Sequence, residues 1–267
     1  MHTSCDDILY GRLRLLQPIN GPRVNLDTIL LSSWVKFRSR HTRYLEAGCA
    51  TGAISILLAM KFRNIHVTGI ELQSELVDLA VRNAENNNLS DRVSFVAGDL
   101  RDRNILPREY FDVLVINPPY ESEKRGRVSP DSMRSSARHE LSCTPDDVGE
   151  LAYRVLKSKG RVFSVFTSAR LGVFMQAISA HRITPKRLRF VYPDGENESG
   201  IFLLEGIKDG GEGLCVLPPL FVRDSEGRYT PEVLQAYDLP GAGGRVVGRA
   251  GTPSGQPCNK EEKCTRY

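Results

Sequence analysis

Along the first two thirds of the chain, short apolar runs alternate with turns rich in glycine or acidic residues, and then with segments whose apolar positions recur every three to four residues. "TRYLEAGCATG" leads into "AISILLAMKF", "IHVTGIEL" into "QSELVDLAVRNAENN", and "VSFVAGDL" into a loop before "FDVLVINPPY". The short runs read as buried strands and the periodic segments as helices. That alternation predicts an α/β fold: a parallel sheet with crossover helices. Further on, "VGELAYRVLKSKG" reads as an amphipathic helix closed by Gly160 just past its C-terminus. The strand "RVFSVFT", a helix around residues 168 to 181 and a strand near "KRLRFVYP" follow, and "GIFLLEGIKD" and "LCVLPPLFV" read as terminal strands. There is no internal repeat. From Gly241 the chain becomes rich in Gly and Pro and loses apolar periodicity. Residues 1–240 are therefore expected to form one domain and 241–267 a disordered tail.

Composition narrows the picture only slightly. The chain has 267 residues, 40% hydrophobic and 25% charged, with a net charge of +4, ordinary for a soluble globular protein. A mildly basic balance suits a polyanionic partner but also many cytosolic enzymes. The cysteines, Cys5, Cys49, Cys143, Cys215, Cys258 and Cys264, form no C-x-x-C pair and have no histidine cluster beside them. Neither a disulfide framework nor a metal site is expected, and a reducing, cytoplasmic setting fits best. No apolar run approaches the roughly 18 residues of a membrane span, and the N-terminus lacks the apolar core of an export signal.

In an open parallel sheet, ligands bind outside the carboxyl ends of the strands. Three strand ends carry ligand-type residues. In Glu46-Ala47-Gly48-Cys49-Ala50-Thr51-Gly52, small residues let the backbone turn sharply at a helix N-terminus. Glu71, followed by Leu72, can accept hydrogen bonds from two ribose hydroxyls, or can be a solvated carboxylate at a helix start. Asp99, followed by Leu100, can accept from an adenine amine, or can cap a turn. Together they describe a nucleoside-containing cofactor lying across the sheet edge.

The fourth strand ends on Asn117-Pro118-Pro119-Tyr120. Two prolines fix a rigid corner. They leave the Asn117 side-chain oxygen and the Pro118 carbonyl as neighbouring acceptors for a planar group with two N–H donors, an exocyclic amine or a carboxamide. Holding its hydrogens favours a pyramidal nitrogen and stabilises the positive charge that builds as an electrophilic methyl is attacked. Tyr120 offers a face on which a flat base can stack. The loop beyond carries Lys124, Arg125, Arg127 and Arg138, and with "KFRSRHTR" and "KRLRF" it supplies candidate phosphate contacts; each run can equally be a solvated face. Arg138-His139-Glu140 invites proton chemistry but reads more simply as a structural ion pair, since water can take the proton of a methylated amine.

"EAGCATG", "GIEL", "AGDL" and "INPPY", in this order, resemble the class I S-adenosylmethionine-dependent methyltransferases that carry an Asn-Pro-Pro-Tyr motif. The resemblance implies a Rossmann-like, mostly parallel seven-stranded sheet with helices on both faces. It also implies S-adenosyl-L-methionine as cofactor, with Glu46, Gly48, Ala50, Gly52, Glu71, Leu72, Asp99, Leu100 and Asn117 around it. Ala50 departs from the pattern, which usually has glycine there. "PRVNLDTILLSSW", "SARHE" and the segment from "LLEGIKDGGEG" to "RYTPEV" are similar to the bacterial tRNA adenine N6-methyltransferase group, whose members modify the adenine next to the anticodon of a valine tRNA. From that group Arg23 and Asp27 are carried over as contacts to the cofactor's methionine part; Asp27 can equally cap the helix "TILLSSWVKF". The expected partner is tRNA or another RNA, with no membrane, no metal and a monomer favoured. N5-methylation of a glutamine in a translation factor, DNA adenine N6-methylation and an RNA-binding protein without turnover remain as alternatives.

Overall fold

The structure, a computed structural model, describes residues 1–36, 38–118 and 143–238. Its strands are β1 (Thr3–Ile8), β2 (Leu13–Pro18), β3 (Arg43–Ala47), β4 (His66–Glu71), β5 (Val93–Ala97), β6 (Phe111–Ile116), β7 (Leu156–Thr167), β8 (Ile183–Tyr192), β9 (Ile201–Lys208), β10 (Cys215–Val216) and β11 (Leu220–Phe221). Its helices are α1 (Leu26–Trp34), α2 (Ala53–Lys61), α3 (Ser74–Asn86), α4 (Pro145–Val155), α5 (Leu171–Ala180) and α6 (Pro231–Tyr237). The expected tail from Gly241 lies outside the described residues.

The main sheet runs β10-β8-β9-β7-β6-β3-β4-β5, with β11 also on β8. β4, β3, β6 and β7 pair in parallel and β9 is antiparallel to both its neighbours. Among the described residues the sheet therefore has nine strands, where seven were expected. The two extra strands are the two-residue β10 and β11. Pro218 and Pro219 lie between them and remove the N–H donors a continuous strand would need, so "LCVLPPLFV" touches β8 twice instead of running along it.

Side chains of each central strand alternate between two cores. Val113 and Val115 of β6 pack with α1, α2 and α6, whereas Leu114 and Ile116 pack with α4 and α5. Helices thus cover both faces. Asn25 caps α1, its side chain accepting the Thr28 N–H at 3.0 Å, and Thr144 with Asp147 forms a capping box at α4. Helix α4 ends at Val155, five residues before Gly160. Leu156 already pairs with Phe111, and the register then shifts, so residues 157 to 160 bulge out of β7. Lys159, at φ +63°, takes the left-handed position there.

The β1–β2 hairpin was not foreseen. Leu13 and Leu15 of β2 are buried in the α1-side core. Buried Asn83 of α3 accepts the Leu16 N–H at 2.7 Å and donates to Leu16 O at 3.0 Å and to Thr51 O at 2.9 Å. One amide thereby joins the hairpin, α3 and the turn that precedes α2.

Candidate active site

Because β3, β4, β5 and β6 are in parallel register, Ala47, Ile70, Ile116 and the pair Glu71 and Ala97 end at one level of the sheet. Strand order reverses at β3, the position where ligands gather in such sheets. The loop after β3 takes left-handed backbone at Gly48 (φ +69°), Ala50 (φ +47°) and Gly52 (φ +78°). Glycine takes that backbone without strain, whereas Ala50 carries about 1 kcal/mol of strain within it. The Gly48 and Cys49 N–H groups both donate to Ile70 O, at 2.9 and 3.0 Å, which fixes the loop against β4. A Cβ on Gly48 would meet nothing within 4 Å, whereas one on Gly52 would lie 2.6 Å from the Phe95 ring. Gly48 therefore faces open space. Gly52 does not line the cavity; it is glycine because the loop packs closely on Phe95.

Three carboxylates converge here, each in a different setting. Glu46 is buried on the α2 side of β3, where its Oε2 accepts the Ser55 N–H at 2.7 Å and the Ser55 hydroxyl at 2.5 Å. Burial pushes it up to about 8, against the lowering effect of Ser55. Glu71 accepts the Ala50 N–H on Oε2 at 2.9 Å and the Gln73 N–H on Oε1 at 3.1 Å. It is a buried strut between two loops rather than a solvated side chain. Asp99 accepts the Arg101 N–H at 2.8 Å, closing a turn, and is gripped by the Arg101 guanidinium at 2.6 to 3.0 Å. Those bonds hold Asp99 below the usual carboxylate range.

These groups line one cavity of about 650 Å³, within the size range of small-molecule sites. Of the residues expected from the sequence, Arg23, Glu46, Gly48, Ala50, Glu71 and Leu72 lie on its wall. So do Asp99, Leu100, Asn117 and Pro118. Asp27 does not, and neither does it cap α1, since Asn25 holds that position. It sits buried in the first turn with its Oδ2 unpartnered, and burial pushes it up to about 6. Arg23 reaches the cavity from the hairpin side, with its guanidinium on Asp6 Oδ2 at 2.5 Å and Pro18 O at 2.9 Å. Asn25, Thr28, Gln73, Arg101 and Cys143 also line the wall and were not anticipated; only Gln73, directly after the acidic strand end at a helix start, carried a signal. Pro119, Tyr120, Lys124, Arg125, Arg127 and Arg138 lie outside the described residues.

The residues present suit a nucleoside. Glu71 keeps spare carboxylate lone pairs at the end of β4, Asp99 stands beyond the adjacent strand with both oxygens held by Arg101, and the Gly48 backbone leaves room for close approach. A family model described as a methyltransferase domain matches residues 38–181. The chain belongs to that family. Its tRNA1(Val) (adenine(37)-N6)-methyltransferase relative from Porphyromonas gingivalis is 30% identical over 239 residues, covering 86% of this chain and 92% of the relative. A relative of the same description from Aliivibrio salmonicida is 25% identical over 185 residues, covering 69% and 77%. In fold, this methyltransferase is similar to a predicted O-methyltransferase from Agrobacterium tumefaciens, with a TM-score of 0.66 at 22% identity, covering 83% of this chain and 100% of that one. Among the described residues of the methyltransferase, no helix is long and apolar enough to cross a membrane and no group of three or more His, Cys, Asp or Glu could hold a metal.

Proposed function

We propose that this protein is an S-adenosyl-L-methionine-dependent methyltransferase acting on the exocyclic N6 amine of an adenine in RNA, namely the tRNA adenine next to the anticodon. The observation that carries this reading is the 30% identity to the Porphyromonas gingivalis enzyme of that description across nearly the full length of both chains. Residues 1–240 act as one catalytic unit, working on tRNA in the cytoplasm.

The cofactor supplies an electrophilic methyl group. Glu71 serves as the acceptor for its ribose and Asp99 for its adenine amine, with the Gly48 turn leaving room for the methionine part. Arg101 competes for the Asp99 oxygens, and at least one of its bonds gives way as the cofactor enters. Asn117 and Pro118 supply the two acceptors that hold the target amine, localise its lone pair and stabilise the charge that forms; water takes the released proton. Tyr120 stacks the extruded base, and Lys124, Arg125, Arg127 and Arg138 hold phosphates.

The test is mass spectrometry of nucleosides from unmodified total tRNA incubated with the protein and methyl-labelled S-adenosylmethionine. Labelled N6-methyladenosine is expected. If the protein binds the cofactor and no such nucleoside forms, the RNA reading is overturned and a glutamine carboxamide becomes the next substrate to try.

A further inference from the structure

The two basic runs "KFRSRHTR" and "KRLRF" are used differently in the structure. In the second, on β8, every cation is engaged within the fold. Lys186 Nζ donates to the Gly211, Glu212 and Gly213 carbonyls at 2.7, 2.7 and 3.1 Å. Arg187 donates to Glu205 at 2.8 Å and lies 4.3 Å over the Trp34 ring. Arg189 grips both oxygens of Glu232, at 2.5 and 2.8 Å. The first run joins α1 to β3. There Arg38, Arg40 and Arg43 are all exposed, and none of them pairs with a carboxylate among the described residues.

The backbone that carries these three arginines is pinned. Arg38 O accepts the His41 N–H at 2.8 Å, closing a turn, and Asp112 Oδ2 accepts the Thr42 and Arg43 N–H groups at 2.9 and 3.0 Å. His41 is buried between them. The Arg43 guanidinium lies 4.2 Å over the ring of Tyr110, which is itself partly exposed. A guanidinium stacked on a ring keeps the N–H donors around its edge for phosphate. The carboxylates beside the turn are already engaged. Buried Glu205 is shared by Arg161 and Arg187, and Asp112 is held by Lys157 at 2.7 Å as well as by the two N–H groups. Positive charge is left in excess. Burial, with Arg38, Arg40 and Arg187, pushes Arg161 down to about 10. His41 is lowered by burial and, against the pull of Asp112, by Arg40, Arg161 and Arg38. Crowding like charges costs stability, and an anionic partner offsets that cost.

We propose that Arg38, Arg40 and Arg43 form a second RNA-contacting surface, which holds the phosphate backbone of a helical arm of the tRNA while the target adenine occupies the cavity. Given the tRNA methyltransferase reading, on which this rests, the surface fixes where the remainder of the RNA lies. Arg43 opens β3, whereas Glu46 and Gly48, at the other end of that strand, line the cavity. From Arg43 to Ala47 the strand spans roughly 13 Å, and an RNA that touches both ends has to pass around the domain. A free nucleotide is too short to do so. Guanidinium forks match phosphate oxygens bidentately. Contacts of that kind set register and orientation without reading sequence.

Binding is measured on the full chain, apart from methyl transfer, with two probes: full-length unmodified tRNA and a single-stranded oligonucleotide of the anticodon-loop sequence. In the triple variant Arg38→Ala, Arg40→Ala, Arg43→Ala, tRNA should bind about tenfold or more weakly. The slope of log Kd against log salt should fall by about 1 for each arginine removed. Affinities for the oligonucleotide and for S-adenosylmethionine should stay at parental values. The triple variant Arg38→Lys, Arg40→Lys, Arg43→Lys keeps the three charges and should keep most of the slope. Parental tRNA affinity in the alanine variant overturns the surface. So does an equal loss on the oligonucleotide, which would mean attraction by net charge alone, and so does a slope lost in the lysine variant, which would mean a structural role. Arginine-dependent tRNA binding in a protein that labels no tRNA adenine would defeat the adenine reading and leave this surface standing.

Discussion

The Glu71 carboxylate accepts the Ala50 N–H at 2.9 Å, so the acidic residue ending β4 props the loop that follows β3. Its other oxygen accepts the Gln73 N–H. Glu71→Ala therefore loses both loop positions along with the proposed ribose acceptor. Affinity for S-adenosylmethionine should fall about tenfold or more and stability by about 1–3 kcal/mol. Calorimetric titration and melting check this. Glu71→Gln, which presents an NH2 group to one of the two donors, should fall between parent and alanine; parental affinity in Glu71→Ala would remove Glu71 from the site.

Ala50 is strained where glycine is free to adopt the same backbone. Ala50→Gly should raise stability by up to about 0.6 kcal/mol, about 1 kcal/mol of relieved left-handed strain less about 0.4–1 kcal/mol for the added freedom of the unfolded chain. Denaturant unfolding reads the difference. A loss of stability would mean that the Ala50 methyl makes contacts worth more than the strain.

Arg101 depresses Asp99. In Arg101→Ala the Asp99 carboxyl returns toward its ordinary range, so on acidification cofactor affinity should be lost at a higher pH than in the parent, while at neutral pH it should rise because no guanidinium competes for the Asp99 oxygens. Binding curves for S-adenosylhomocysteine at a series of pH values decide it; superimposable profiles would show that Asp99 is not a cofactor ligand.

Asn117→Ala removes one acceptor for the developing charge. Turnover should fall about a hundredfold or more while cofactor affinity stays within a few-fold. Single-turnover methylation and cofactor titration separate the two, and undiminished turnover would defeat the mechanism.

Glu46 and Asp27 titrate in the same sense. Burial pushes them up to about 8 and about 6, so the folded state keeps protons that the unfolded state has released. Their effect on stability is absent below the unfolded values near 4 and grows as pH rises, through about 6 for Asp27 and about 8 for Glu46. Unfolding free energy should decline across that window. Glu46→Gln and Asp27→Asn should each flatten the decline when chemical denaturation is repeated from pH 5 to 9, and parallel curves would mean that neither group holds its proton.

The strand-turn-helix order was readable because buried parallel strands are continuous apolar runs, and because the ligand-type residues stand where those runs stop. What escaped reading depends on which of several possible contacts form, with a second strand in the case of β1 and with near neighbours in the others. The β1 strand, "TSCDDI", mixes polar residues on both faces and has half-buried alternation only because β2 covers it. Gly160 looked like a helix stop, yet an added Cβ there would lie 2.8 Å from Lys157 O, so its small size serves the bulge that begins β7. Asn25 and Asp27 are both ordinary capping residues. Position alone did not say which one faces the Thr28 amide. Arg101 belongs to no motif, and its grip on Asp99 is visible only in space.

The position of β9 constrains how the chain is assembled. It lies between β7 and β8 although it follows both in sequence, pairing with β7 from Arg161↔Ile207 to Thr167↔Ile201 and with β8 from Ile183↔Lys208 to Val191↔Ile201. During synthesis β3, β4, β5 and β6 can join as soon as they emerge, but β7 and β8 each keep an open edge until Lys208 has been made. Such edges invite pairing with other chains. A chain interrupted before residue 201 would hold most of its cofactor-binding loops with half of its sheet unsealed, so the last long strand to be made is the one that closes the enzyme.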